Sequence, residues 1–204
     1  MTISLHKGDL PDSTPRSDAL AIDTETMGLQ PFRDRLCVVQ LSWGDGTVDV
    51  VQIAPGQTAA PNLTRLLADS SVTKLFHFAR FDIAALAHAF GVYAAPVYCT
   101  KIASKLARTY TDRHGLKDLV REMLAIELSK QQQSSDWGAP LLTEAQMNYA
   151  ASDVLHLHAL RQKLDVMLAR EGRASVAKAC FEFLPARARL DLMGWAEHDI
   201  FSHA

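Results

Sequence analysis

Ala21-Ile22-Asp23-Thr24-Glu25-Thr26 carries two apolar residues straight into a carboxylate, a hydroxyl and a second carboxylate. Side chains on a strand alternate between faces, so Asp23 and Glu25 share one. Their like charges then lie within a few ångströms of each other. A buried carboxylate without a partner is costly. A divalent cation removes that cost, and hard carboxylate oxygens suit Mg2+ or Mn2+. Two solvated acids at a strand end would explain the triplet as well, so a metal reading needs more carboxylates from elsewhere in the chain.

The surrounding pattern favours one α/β domain. Leu36 to Trp43 ("LCVVQLSW") and Thr47 to Ile53 ("TVDVVQI") are apolar and β-rich, and Gly44-Asp45-Gly46 between them supplies turn chemistry. The first three strands are therefore expected to be largely antiparallel. "TKLFHF" (73–78) and "VYCT" (97–100) read as further strands, and "FDIAALAHAF" (81–90) as a helix ended by Gly91. Helical periodicity then dominates: 100–109, 115–127 and one long helix over 143–170. Thr143 and Gln146 have the spacing of a capping box. Strands gathered early, with helices around and after them, imply a mixed sheet flanked by helices.

Composition narrows the class. The 204 residues are 48% hydrophobic, enough for a sizeable core, and the net charge of -2 gives no general basic field for nucleic acid. Cys37, Cys99 and Cys180 are scattered and odd in number, so buried thiols are expected rather than a disulfide framework. The N-terminus resembles no signal peptide, and no apolar run reaches membrane-spanning length. A cytoplasmic protein without membrane association is the expectation.

Two more carboxylates complete the pattern. Asp82 opens the helix after "LFHFAR", where a first-turn acid also suits the helix dipole. Asp153 stands on an unusually apolar helix, with Tyr149 four residues earlier on the same face. The pair reads equally as a buried hydrogen bond. Taken together, however, "DTET", "FHFARFD" and "YAASD" resemble the three motifs of the DEDD exonucleases, in order. That resemblance implies a ribonuclease H-like fold. It also implies catalytic roles for Asp23, Glu25, Asp82, Tyr149 and Asp153, with the four carboxylates holding two divalent cations, Mg2+ or Mn2+. Asn148 stands where the histidine branch carries its histidine, so the chain is similar to the tyrosine branch, DEDDy. "HGLKDLVREML" (114–124) and "SSDW" (134–137) resemble ribonuclease D.

Two departures separate the chain from ribonuclease D. "WGAPLLT" (137–143) lacks the arginine usual after the tryptophan, and no helical HRDC domain is expected after the catalytic core. The stretches "GLQPFRDRLCVVQLSWGDGT", "TKIASKLARTYTDRHGLK" and "SVAKACFEFLPARARLDLMGW" resemble the nanoRNase C family of α-proteobacteria over nearly the whole chain. The expected organisation is a single 3′-5′ exonuclease domain over 1–204. Its catalytic core spans about 18–170 and a helical segment about 171–204. The resemblance implies removal of short RNA, especially dinucleotides, by a ring-shaped homo-oligomer, with an octamer expected. DNA or longer RNA as substrate, or an inactive nucleic-acid-binding module, are the alternatives.

Substrate contacts are less specific. Leu29 matches the leucine that wedges between bases in short-substrate relatives, or it fills a core gap. Thr24, His77 and Arg80 flank the motifs and are candidates for substrate binding, although His77 serves equally as a core histidine. Lys101, Lys105 and Arg108 recur at helical spacing and offer a path for a backbone. Phe181, Phe183, Leu184, Leu190, Leu192, Met193 and Trp195 suit either the core or a subunit contact, and the family resemblance favours the contact.

Overall fold

The apolar strand that ends in Asp23 and Glu25 lies in the middle of the sheet. The computed structural model describes residues 1–129 and 131–203. Its strands are β1 (Thr2–Lys7), β2 (Ala19–Thr26), β3 (Leu36–Ser42), β4 (Thr47–Gln52), β5 (Thr73–Phe76) and β6 (Val97–Cys99). They form one sheet in the order β1-β4-β3-β2-β5-β6. As expected, β2, β3 and β4 pair antiparallel, and Gly44 and Gly46 make the β3–β4 turn at positive φ. β5 and β6 add in parallel on the other side of β2, so the sheet is mixed.

The helices are α1 (Pro61–Ala68), α2 (Ala79–Phe90), α3 (Thr100–Ala107), α4 (Leu116–Leu124), α5 (Glu144–Leu155), α6 (Leu157–Arg170) and α7 (Ala174–Leu190). A short π-helical turn, Asp191–Trp195, follows α7. Every residue of β3 is buried, and α5 packs across β2, β3 and β4. The Thr143 capping box forms: its hydroxyl accepts from the Gln146 amide at 3.2 Å, and Gln146 Oε1 accepts from the Thr143 amide at 2.9 Å.

The structure corrects the sequence reading in several places. The helix expected over 143–170 is two helices, broken at His156 (φ -102°, ψ -3°). No glycine or proline marks the break in the sequence. β1 has no counterpart among the expected strands. It is a mostly exposed edge strand, parallel to β4, and its alternation is weak. Arg108 does not line a path for a backbone. It is 1% exposed, pairs with Glu122, and donates to Arg113 O at 2.8 Å. The polar linker expected over 130–138 begins at Lys130, which lies outside the described residues; its remainder forms turns. Cys37 and Cys99 are buried free thiols, and Cys180 is half-buried.

Candidate active site

β2 pairs with β5 only over Ala19 to Ala21. Beyond that point its C-terminal end runs free of β5 and borders a cleft, the usual ligand position in open α/β sheets. The register against β3 shifts between Glu25 and Thr26, an irregularity of the kind that re-aims side chains beside active sites. Asp23 and Glu25 thus stand at this free end.

Two helices bring the other acids. Phe78 caps α2 with φ 72° and ψ 43°, a left-handed conformation uncommon for a non-glycine residue and costing roughly 1–3 kcal/mol. This sharp entry sets Asp82 in the first turn of α2, where it is 3% exposed. Asp82 Oδ1 accepts from the Thr24 hydroxyl at 2.7 Å. On α5, Ala150, Ala151 and Val154 are buried against the sheet, and Tyr149 and Asp153 come together one turn apart. Asp23, Glu25 and Asp153 each offer a carboxylate oxygen, and those three oxygens lie within 4.8 Å of one another.

The electrostatics follow from that crowding. Among the described residues, none of the four carboxylates forms an ion pair with a lysine, arginine or histidine. Burial pushes Asp23 well above the usual carboxylate range, and Asp82, Asp153 and Glu25 push it further. Glu25 rises to about 9, through burial and then the charges of Asp153 and Asp82. Asp82 rises to about 7 through burial, although the Thr24 hydrogen bond works against this. Asp153 also rises to about 7 by burial, offset in part by hydrogen bonding with Tyr149. The Tyr149 phenol itself is pushed up by burial and then by Asp153, Glu25 and Asp23. It keeps its proton at neutral pH. Three converging, uncompensated hard-oxygen donors are the donor set that Mg2+ and Mn2+ prefer, so the residues present fit the expected cations.

The cleft beside the acids has a volume of ≈ 490 Å³ and is bounded by Glu25, Met27, Leu29, Phe81, Ser134 and Trp137. Leu29 is 78% exposed at its mouth rather than filling a core gap. The loop that carries it is held by Asp34, which accepts from the Gln30 amide at 2.9 Å and from Arg33 Nε at 2.7 Å. A Cβ at Gly28 would lie 2.4 Å from Asp34 Oδ2, so this close approach requires glycine.

The remaining candidates are engaged within the fold, although Thr24 lines the cleft and Arg80 borders a pocket it shares with Leu29. Thr24 is 6% exposed and its hydroxyl is engaged by Asp82, which makes it a support for the acid. His77 Nδ1 lies 2.9 Å from the Thr100 hydroxyl, and burial lowers its pKa to about 3. It is a neutral ring in this structure. Arg80 donates from Nε and Nη2 to Asp191 at 2.6 and 2.9 Å, and from Nη2 to Ala196 O at 2.7 Å. Its charge is thus held by the segment after α7. Of the C-terminal apolar residues, Phe181 and Leu184 join the core, whereas Phe183, Met193 and Trp195 stay at the surface.

Sequence reasoning missed Gln40. It is fully buried on β3, directly opposite Asp23, and its Nε2 donates to Asp23 Oδ2 at 2.6 Å. The available signal was a single amide within the apolar stretch "LCVVQLS". Trp137, whose ring centroid is 6.0 Å from that of Tyr149, was visible only as part of "SSDW".

This fold and this acidic site define a 3′-5′ exonuclease of the DEDD class. A family model described as a 3′-5′ exonuclease matches residues 9–169. The NrnC of Brucella melitensis solved with bound Mg2+ is 61% identical, with a TM-score of 0.97 and all of both chains covered. The same protein solved with pGG bound is 62% identical, again with a TM-score of 0.97 and all of both chains covered. Ribonuclease D of Gluconacetobacter diazotrophicus is 39% identical over 158 residues, 78% of this chain. The chain spans 40% of the length of that curated relative. The chain belongs to the 3′-5′ exonuclease family, within its nanoRNase C branch. No helix among the described residues is long and apolar enough to cross a membrane.

Proposed function

We propose that the chain hydrolyses short RNA from its 3′ end to 5′-mononucleotides, with dinucleotides as the preferred substrate. The observation that carries this reading is the uncompensated acidic cluster opening onto a cleft of ≈ 490 Å³, with an exposed leucine at its mouth. A cleft of that size suits a small ligand rather than a long strand. The net charge of -2 offers no extended basic surface for long RNA. The full-length likeness to an NrnC that has been solved with pGG and with Mg2+ supports the same reading.

Asp23, Glu25 and Asp153 hold divalent cations, with Asp82 completing the set. When bound, the ions activate water, neutralise phosphoryl charge and support the leaving 3′-oxygen. The chain's own groups do the rest. Tyr149 keeps the proton on its hydroxyl and orients the attacking water. Leu29 separates the two bases and so measures a substrate two nucleotides long. Thr24 holds Asp82 in place through its hydroxyl. Phe183, Met193 and Trp195 contribute to contacts in a ring-shaped homo-oligomer, an octamer, in the cytoplasm.

The test is a single assay with Mg2+ or Mn2+ and 5′-labelled substrates: a diribonucleotide, a longer unstructured RNA and a DNA strand. Faster turnover of the dinucleotide is the expected result. Full activity on long RNA with none on dinucleotides points to a minimal ribonuclease D, and preference for the DNA strand points to a DNA exonuclease. Light scattering of the same preparation gives the assembly size.

A further inference from the structure

We propose that Gln40 is a positioning residue for Asp23, holding this carboxylate in the orientation that receives the cation. The inference rests on the reading that Asp23 is a cation ligand. Gln40 faces Asp23 in the β2–β3 register, is 0% exposed, and donates from Nε2 to Asp23 Oδ2 at 2.6 Å. One carboxylate oxygen is thereby pinned. The rotation of the group about its last torsion is fixed before any ion arrives.

The residue type matters as much as the contact. A lysine or arginine here would pair with Asp23 and compete with the cation. A glutamate would add a fifth negative charge to the cluster. An amide donates without supplying charge, so it orients the acid and leaves the cluster's attraction for a cation intact.

Gln40 is also an unfavourable choice for the fold alone. It interrupts a strand whose every residue is buried, and its Oε1 has no hydrogen-bond partner among the described residues. A buried acceptor without a partner costs stability. An apolar side chain of the same shape would avoid that cost. A residue kept for packing would therefore be apolar, and a residue kept for Asp23 would not.

The test compares the full-length wild type with Gln40→Met, which preserves shape, and Gln40→Leu. Mn2+ binding is measured by calorimetry without substrate, and thermal stability without metal. The expected result is a metal-free melting temperature equal to or above that of the wild type. Mn2+ affinity should be weakened by roughly 10–100-fold, the usual effect of removing a group that orients a metal ligand. Turnover at saturating Mn2+ should recover more than turnover at low Mn2+. Wild-type Mn2+ affinity in either folded variant overturns the proposal, as does a large loss of stability with affinity unchanged. Asp23→Asn is the control. If it binds Mn2+ normally, the cation reading itself fails; if it loses Mn2+ while Gln40→Met keeps it, only the role of Gln40 fails.

Discussion

Two acidic regions of the molecule solve the same electrostatic problem in opposite ways. Asp191, at the start of the turn after α7, is held by Arg80 at 2.6 Å and by Arg187 at 3.0 Å. Arg187 also donates to Trp195 O and Ala196 O, so the segment is tied down by charges the chain supplies itself. At the end of β2, three carboxylates converge with Asp82 close by, and no basic side chain among the described residues pairs with any of the four. The first region is complete as folded. The second is stable only at a cost, which an external cation relieves. An acid with an arginine beside it is architecture, whereas acids crowded without one form a site.

The largest expected effect breaks the comparison on the side of the cluster. Asp23→Asn or Asp153→Asn should bring turnover to background even at saturating Mn2+. In the metal-free protein the same changes should raise the melting temperature. Each removes a carboxyl whose ionisation is opposed by burial, and at Asp23 also by its acidic neighbours, and ~1 kcal/mol corresponds to roughly 2–4 °C in a protein of this size. Near-normal turnover in either variant, measured with saturating metal, refutes the assignment of that residue. Tyr149→Phe comes next. It keeps the ring and its contact with Trp137 but removes the hydroxyl. A fall in kcat of ~10²–10⁴ with KM little changed is expected for a group that positions the water. An unchanged kcat would leave the hydroxyl only its hydrogen bond to Asp153.

Legibility in the sequence follows the same division. Acids at the end of an apolar strand and on an apolar helix stood out locally, but it was the resemblance to the DEDD motifs that joined them into one cluster. The antiparallel β2–β3–β4 arrangement was readable from Gly44-Asp45-Gly46. What failed were features decided by tertiary contact. β1 is held only by pairing with β4, and its own pattern is too polar to announce a strand. No glycine or proline marks the His156 break. Helical spacing placed Arg108 on a path for a backbone with Lys101 and Lys105, but Glu122 and the Arg113 carbonyl draw it inside. Arg80 stood as a candidate for substrate binding, and nothing near it in sequence shows that Asp191, more than a hundred residues later, takes its charge.

Asp191→Asn tests the other side of the comparison. Here the same chemical change should destabilise, because it leaves two arginines with a weaker partner. Arg80 is partly exposed, so water replaces some of the loss. The expected cost is about 1 kcal/mol, or roughly 2–4 °C. Asp→Asn would then raise the melting temperature at position 23 and lower it at position 191. Scanning calorimetry without metal measures both, and the same sign at the two positions would remove the distinction drawn between them.

The smallest effect sharpens the claim that the cluster lacks local positive charge. His77 follows β5 directly, five residues before Asp82, and a protonated ring there would supply a cation from within the chain. Burial lowers its pKa first, and the charge of Lys101 lowers it further, to about 3. The unfolded chain has the ordinary histidine value of about 6.5. Between those two values the unfolded state binds the extra proton and the folded state does not. His77 therefore contributes stability that is fully present above pH ~6.5 and is lost progressively as pH falls toward 3. His77→Gln keeps a hydrogen-bonding group near Thr100 but cannot titrate, so its stability should fall less steeply over that window. NMR of the ring carbon should show no protonation of His77 in the folded protein above pH ~5. A midpoint near 6.5 would instead make His77 a charge available to the cleft, and its candidacy for substrate binding would stand.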